Sequence, residues 1–196
     1  MLIAAILGGY LLGSVSVAVL LTREKYGGDV REKGSGNAGA TNVARVFGFG
    51  AGLLTLGGDA VKTALAMLLG KLLCGDLGAA AAAAGCLVGH CWPLYFGFRG
   101  GKAVTVSGAI SLFLNWRLTV ILFVVFALVF ALSKRVSLCS ISAAVAYPLA
   151  MLALGSFAWF QLALGCFVSV IVLFMHRTNI QRLLKGTEPK FHAKSK

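Results

Sequence analysis

The sequence predicts an all-α, polytopic integral membrane bundle of about seven transmembrane helices, N-terminus outside and C-terminus cytoplasmic. Three observations predict it. Apolar residues make up 59% of the 196 and charged residues only 12%, against roughly half and a quarter in a soluble domain. The apolar residues gather into runs at about 2–22, 49–73, 77–97, 103–115, 117–133, 137–154 and 157–175, and a helix needs roughly 20 residues to cross the hydrocarbon core. When these runs alternate across a bilayer, 15 of the 18 Lys and Arg fall on the side that holds the C-terminus, which the positive-inside rule makes the cytoplasm. No polar linker is long enough to separate two cores, so residues 1–196 are expected to form one domain.

The first run, Leu2 to Leu21, lacks a basic leading segment and a small-residue cleavage site. It is expected to remain as a span rather than act as a leader. Gly9 and Gly13, and the run Ala79 to Ala84, have the small side chains that let helices approach closely in lipid. Asp59 and Lys62 stand at i, i+3 inside the second run, so they share a helix face and are expected to pair inward as a structural salt bridge. The stretch 103–133 is long enough for one bent helix or two short ones. Asn115-Trp116-Arg117 suits a membrane interface and favours two. The five cysteines (Cys74, Cys86, Cys91, Cys139, Cys166) form no Cys-x-x-Cys pair and meet no zinc-finger histidine spacing. They read as small buried hydrophobes, with no metal and no cofactor implied. The net charge of +12 is spread over short segments between apolar runs, a pattern of cytoplasmic loops, anionic lipid and anionic substrates rather than of a nucleic-acid surface.

Three polar clusters lie on the predicted inner side. The first is Gly34-Ser35-Gly36-Asn37-Ala38-Gly39-Ala40-Thr41-Asn42-Val43-Ala44-Arg45. It contains G-x-G-x-x-G, but a membrane span precedes it and no βαβ unit is available, so a dinucleotide fold is the wrong reading. Its local physics still suits an anion: Gly34, Gly36 and Gly39 permit close backbone approach and a nest of N–H donors. Ser35, Asn37, Thr41 and Asn42 add neutral donors, and Arg45 adds a bidentate cation. The second runs from Gly89-His90 through Trp92-Pro93 to Arg99-Gly100-Gly101-Lys102. A Walker loop would need glycine at Phe96 and a hydroxyl at Ala103, so ATP is not implied. Two glycines between two cations ahead of a helix do suit a phosphate. The third is His176-Arg177-Thr178-Asn179 continuing through Arg182 to Glu188, in which His176 and Asn179 lie one helical turn apart. Arg177, Lys185, Lys190, Lys194 and Lys196 read as a lipid headgroup clamp.

These three segments together resemble the bacterial acyl-phosphate:glycerol-3-phosphate acyltransferase family. The first and third match the family motifs throughout, at Gly34–Arg45 and His176–Glu188. The second departs at Arg99, where the family has Lys, and at Ala103, where it has Gly; Gly13-Ser14-Val15 also lacks the family's proline. The resemblance implies transfer of a fatty acyl group from acyl phosphate to the 1-hydroxyl of sn-glycerol 3-phosphate, giving lysophosphatidic acid and phosphate, at the cytoplasmic side of a bacterial inner membrane. It implies that the glycine-rich loop with Ser35, Asn37 and Thr41, helped by Asn179 and Ser140, holds acyl phosphate. Arg45 and Lys102, with Gly100 and Gly101, then hold glycerol 3-phosphate. Asn42, His90 and Arg182 complete the binding set. His176 and the substrate's own phosphate both stand as candidates for the base. Glu188 reads as structural, pairing Arg182 or capping the tail. Ser35 as an acyl-enzyme nucleophile would need a neighbouring base, and none is visible.

A different class, a small transporter or channel for organic phosphate anions, also fits basic loops and broken helices. Against it, the chain shows no inverted repeat and its motifs cluster on one face. A soluble-domain type of lipid acyltransferase is not implied, because neither His90 nor His176 is followed by Asp five residues later. Membrane lipids are the expected surroundings. The sequence leaves oligomeric state open, and a monomer is compatible with it.

Overall fold

A computed structural model describes residues 1–191; Lys194 and Lys196 of the expected headgroup clamp lie outside the described residues. Its contacts gather into two compact units, Met1–Val106 and Ser107–Phe191. The described residues are helices and turns with no strand.

In the first unit, α1 (Leu2–Gly13) stops at Ser14-Val15-Ser16, and α2 (Val17–Tyr26) resumes until Gly27 closes it with φ +63°. Gly at this left-handed position lets the chain turn away without the Cβ clash other residues would suffer. A loop then leads to the short helix α3 (Ala40–Phe47) and the long α4 (Phe49–Cys91). At Cys74 and Gly75 the helical geometry breaks, with Gly75 at φ +62°, and α4 divides into two arms. Gly70 and Gly78 face each other so closely that a Cβ on either would strike the other's carbonyl. Lys71 and Asp76 bridge the turn at 3.1 Å.

The small residues singled out in sequence do the packing assigned to them. A Cβ on Gly9 would strike the backbone of Ala82, one on Gly13 that of Cys86, and one on Gly89 that of Tyr10. α1 therefore lies in a slot along the second arm of α4, where backbone meets backbone.

The second unit contains most of α5 (Val104–Leu114), then α6 (Trp116–Ser133), α7 (Val136–Leu154), α8 (Trp159–Met175) and α9 (Arg177–Leu184). The stretch 103–133 forms two helices, as expected. The Asn115 side chain accepts a hydrogen bond from the Arg117 N–H at 2.9 Å and caps α6. Ser111 and Thr119 hydroxyls meet at 2.8 Å beside the break. α8 and α9 bend by 60° at His176.

Helices cover every one of the seven apolar runs once the two arms of α4 are counted separately. By length and apolarity alone, Leu2–Tyr26, Phe49–Phe96, Trp116–Ser133 and Val136–Leu154 can cross a membrane, and α8 with α9 makes a fifth, bent candidate. The 48 residues of Phe49–Phe96 are far more than one crossing needs, which the break at Cys74-Gly75 explains. α5, with 11 residues, is too short to cross alone. Leu132, Leu72 and Trp159 are 89%, 77% and 74% exposed; side chains of this kind in such number need lipid rather than water around them. Cys86, Cys91 and Cys139 are buried as expected, whereas Cys74 is half-buried and Cys166 exposed. These last two correct the uniform reading of the five thiols.

Candidate active-site segments

The loop before α3 is built around one neutral side chain. Asn42 is 1% exposed, and its Nδ2 donates to the carbonyls of Val30, Lys33 and Asn37 at 3.0–3.1 Å. Its Oδ1 accepts the Ser35 N–H at 2.9 Å. Gly34 (φ +60°) and Gly36 (φ +71°) shape the turn, and a Cβ on Gly34 would strike Asn42 Oδ1. Asn42 therefore positions the loop rather than offering its amide outward, which revises its sequence reading as a ligand. Ser35 is exposed, while Asn37, Thr41 and Arg45 are half-buried. Beneath them Val19, Val30, Ala38, Val43 and Ala51 form an apolar core onto which Phe47 and Phe96 pack.

A second anchor was missed in sequence. Asp29 accepts the Arg31 N–H at 2.9 Å and pairs with the guanidinium groups of Arg31 at 2.8 Å and Arg23 at 2.9 Å. The hydrogen bonds from Arg31 outweigh burial and hold the Asp29 carboxyl down at about 2. Arg31 in turn donates through Nη1 to the Phe96 carbonyl at 2.6 Å. The glycine-rich loop is thereby tied to the second motif. The signal was present as an Asp-x-Arg pair, but nothing local to it names Phe96 as the partner.

In the second motif, the Gly100 N–H donates to the Cys91 carbonyl at 3.2 Å and the Gly101 N–H to the His90 carbonyl at 3.0 Å. Both amides thus satisfy the C-terminal carbonyls of α4. This corrects their reading as phosphate donors. What the glycines contribute is a missing side chain: a Cβ on Gly100 would strike the His90 carbonyl, and one on Gly101 the His90 ring at Nε2. Lys102 follows at a half-buried position. Ala103 has φ +61°, a conformation that explains glycine at this place in the family pattern.

Asp59 and Lys62 pair at 2.9 Å, both buried, as their spacing suggested. The Lys62 ammonium also meets the carbonyls of Gly13 and Val15 and Nδ1 of His90.

The third motif, in the second unit, is organised by a charge. Glu188 is 7% exposed; its Oε1 accepts from Ser137 at 2.6 Å and Asn179 at 2.7 Å, and its Oε2 from Arg182 Nε at 2.7 Å. Burial opposes its ionisation, but these donors prevail and hold its carboxyl below the usual range. The pairing with Arg182 agrees with the structural reading of Glu188. Ser140 donates its hydroxyl to the Val136 carbonyl at 2.9 Å, so it is a helix-internal donor here, against its reading as a phosphate ligand. His176 is 3% exposed, and its Nδ1 lies 2.8 Å from the Val172 carbonyl. A carbonyl only accepts, so Nδ1 carries the proton, and in the neutral ring Nε2 holds the lone pair a base requires.

Comparison with known proteins agrees with the motif reading. Residues 3–186 match the family model described as glycerol-3-phosphate acyltransferase. A glycerol-3-phosphate acyltransferase of Syntrophotalea carbinolica is 44% identical over 191 residues, covering 96% of each chain. One from Clostridioides difficile is 40% identical over 191 residues, covering 94% of this chain and 93% of that one. Among solved structures, PlsY (YgiH), an integral membrane glycerol 3-phosphate acyltransferase in its glycerol 3-phosphate form, aligns with a TM-score of 0.89 at 30% identity, over 97% of this chain and 96% of that one. Its lysophosphatidic acid form gives 0.88 at 28% identity, over 97% and 95%.

Proposed function

The chain belongs to the glycerol-3-phosphate acyltransferase family, and on that premise we propose that its acyl donor is an acyl phosphate. The acceptor is the 1-hydroxyl of sn-glycerol 3-phosphate, and the products are lysophosphatidic acid and inorganic phosphate. The reaction is placed at the cytoplasmic face of a bacterial inner membrane. The observation that supports phosphate-bearing substrates is the fate of the acids. Of six in the chain, the three buried ones, Asp29, Asp59 and Glu188, each face a cation at 2.9 Å or less. No buried carboxylate is left to repel a reaction in which both substrates and the leaving group are phosphates.

An acyl phosphate is an activated mixed anhydride, so positioning supplies much of the rate without a covalent enzyme intermediate. The substrate's O1 attacks the acyl carbonyl carbon and forms the ester bond; the bond from that carbon to the phosphate oxygen breaks, and phosphate leaves. The hydroxyl proton passes to His176 Nε2 or to the departing phosphate. Ser35, Asn37 and Thr41, with the turn glycines Gly34, Gly36 and Gly39, serve the acyl phosphate, and Asn179 assists. Arg45 and Lys102 serve the glycerol 3-phosphate. Family membership leaves the transporter reading without support.

The test supplies purified protein with glycerol 3-phosphate and either a long-chain acyl phosphate, the acyl-coenzyme A or the acyl carrier protein thioester. Phosphate release from the acyl phosphate, matched by lysophosphatidic acid and dependent on glycerol 3-phosphate, is expected. Turnover of a thioester with the acyl phosphate inert overturns the donor assignment.

A further inference from the structure

Asp59, Lys62 and His90 lie in α4, each less than a tenth exposed. Lys62 Nζ pairs with Asp59 Oδ1 at 2.9 Å and directs its three N–H groups at the carbonyls of Gly13 at 3.1 Å and Val15 at 2.7 Å and at His90 Nδ1 at 3.1 Å. The two carbonyls sit at the break between α1 and α2, where a cation answers the negative helix end. An ammonium has N–H donors only, so the Nδ1 facing it presents its lone pair and the ring proton resides on Nε2. That edge of the ring lies against Gly101, at a point where a Cβ would also come within 2.9 Å of the Ala38 carbonyl. Gly101 precedes Lys102, and Ala38 lies inside the glycine-rich loop.

We propose that Asp59, Lys62 and His90 form a buried positioning relay for the acceptor site, in which Lys62 fixes the His90 ring against Gly101 and so holds Lys102 and the Ala38 segment in register. A buried ion pair is a poor stabiliser, because desolvating both charges offsets their attraction. Its reach through His90 to two motifs is what the arrangement adds. His90 is thus a positioning residue that acts through Gly101, and the inference rests on glycerol 3-phosphate as acceptor but not on the donor.

Asn in place of histidine reproduces the Nδ1 position, and Gln the Nε2 position. Asn keeps the contact to Lys62 and Gln the contact to Gly101, so each breaks the relay at one end, and both are expected to raise KM for glycerol 3-phosphate about tenfold with kcat little changed. A KM like that of the unaltered protein in either variant overturns the relay. Asp59→Leu with Lys62→Met removes the charges together but leaves the Gly13 and Val15 carbonyls without their donor, so the melting temperature should fall modestly while KM increases; a KM like that of the unaltered protein overturns it. Nitrogen-15 NMR of the unaltered protein reads the tautomer independently of any assay, with the His90 resonance identified by its absence from His90→Gln. Protonation at Nε2 alone is expected; a proton on Nδ1 overturns the proposal even if the acceptor reading stands. Correct tautomer with no KM response fails the relay while leaving the fold description intact.

Discussion

The glycine-rich loop and the C-terminal segment are both polar structures organised from one buried side chain, but the organisers differ in kind. Asn42 is neutral and speaks mainly to backbone, gathering three carbonyls and one N–H. Glu188 is charged and speaks to side chains, gathering Ser137, Asn179 and Arg182. A neutral hub shapes a loop without adding charge beside Arg45 in the same helix, whereas a carboxylate hub must be offset on the spot, as Arg182 does. The first arrangement fixes a conformation; the second ties Ser137 to Asn179 and Arg182, which lie much later in the chain.

The largest effect should come from breaking the neutral hub. Asn42→Ala strands buried backbone groups and should cost about 3 kcal/mol, with kcat/KM for glycerol 3-phosphate falling about a hundredfold as the loop loses its shape. Asn42→Asp should do no better, since a carboxylate cannot donate to three carbonyls; thermal unfolding and acylation assays read both. Breaking the charged hub should be milder. Glu188→Ala should cost about 2 kcal/mol, while Glu188→Gln keeps an acceptor and should cost about 1 kcal/mol or less, because the half-exposed Arg182 gains little from the charge.

Acid sharpens the contrast. The folded-state pKa values of Asp29 and Glu188 are both depressed, Asp29 to about 2 from 3.8. Their contributions are therefore complete above the unfolded values and lost as pH falls. Unfolding followed between pH 5 and 2 should show stability declining, and Asp29→Asn should remove the part of that decline lying between 3.8 and about 2. The Asn42 contacts should show no such titration. The smallest effect is expected at Ala103. Glycine relieves the left-handed strain but gives up a buried methyl and stiffness in the unfolded chain, leaving a net gain of about 1 kcal/mol or less in a melting experiment.

Much of this was legible in the residues. Hydropathy located the helical stretches, because lipid allows the backbone few alternatives, while only four, or five with the bent pair, are long and apolar enough to count as spans. Gly9, Gly13 and the alanine run foretold close packing, and Asp59 and Lys62 foretold their pair. The motifs showed which segments carry chemistry but not which atoms face outward. Asn42, Gly100, Gly101 and Ser140 all looked like ligands, since a donor is the same residue type whether it meets a phosphate or a carbonyl. The Arg31 contact to Phe96 and the Lys62 contacts to Gly13, Val15 and His90 depend on tertiary neighbours dozens of residues away, which no local spacing encodes. The break at Cys74-Gly75 falls in the gap between the runs 49–73 and 77–97, so hydropathy marked it although it occupies only two residues.

The slot that receives α1 carries a consequence for biogenesis. Gly9 and Gly13 find their partners, Ala82 and Cys86, roughly 70 residues later in synthesis. At about 5–20 residues per second, α1 leaves the ribosome several seconds before the second arm of α4 exists. During that interval its glycine stripe must rest against lipid or against the insertion machinery. The turn at Cys74-Gly75 shortens the wait that follows, because the second arm folds back beside the first as soon as it emerges. Wider side chains along that stripe should therefore reduce the yield of inserted protein, even where the finished molecule could accommodate them.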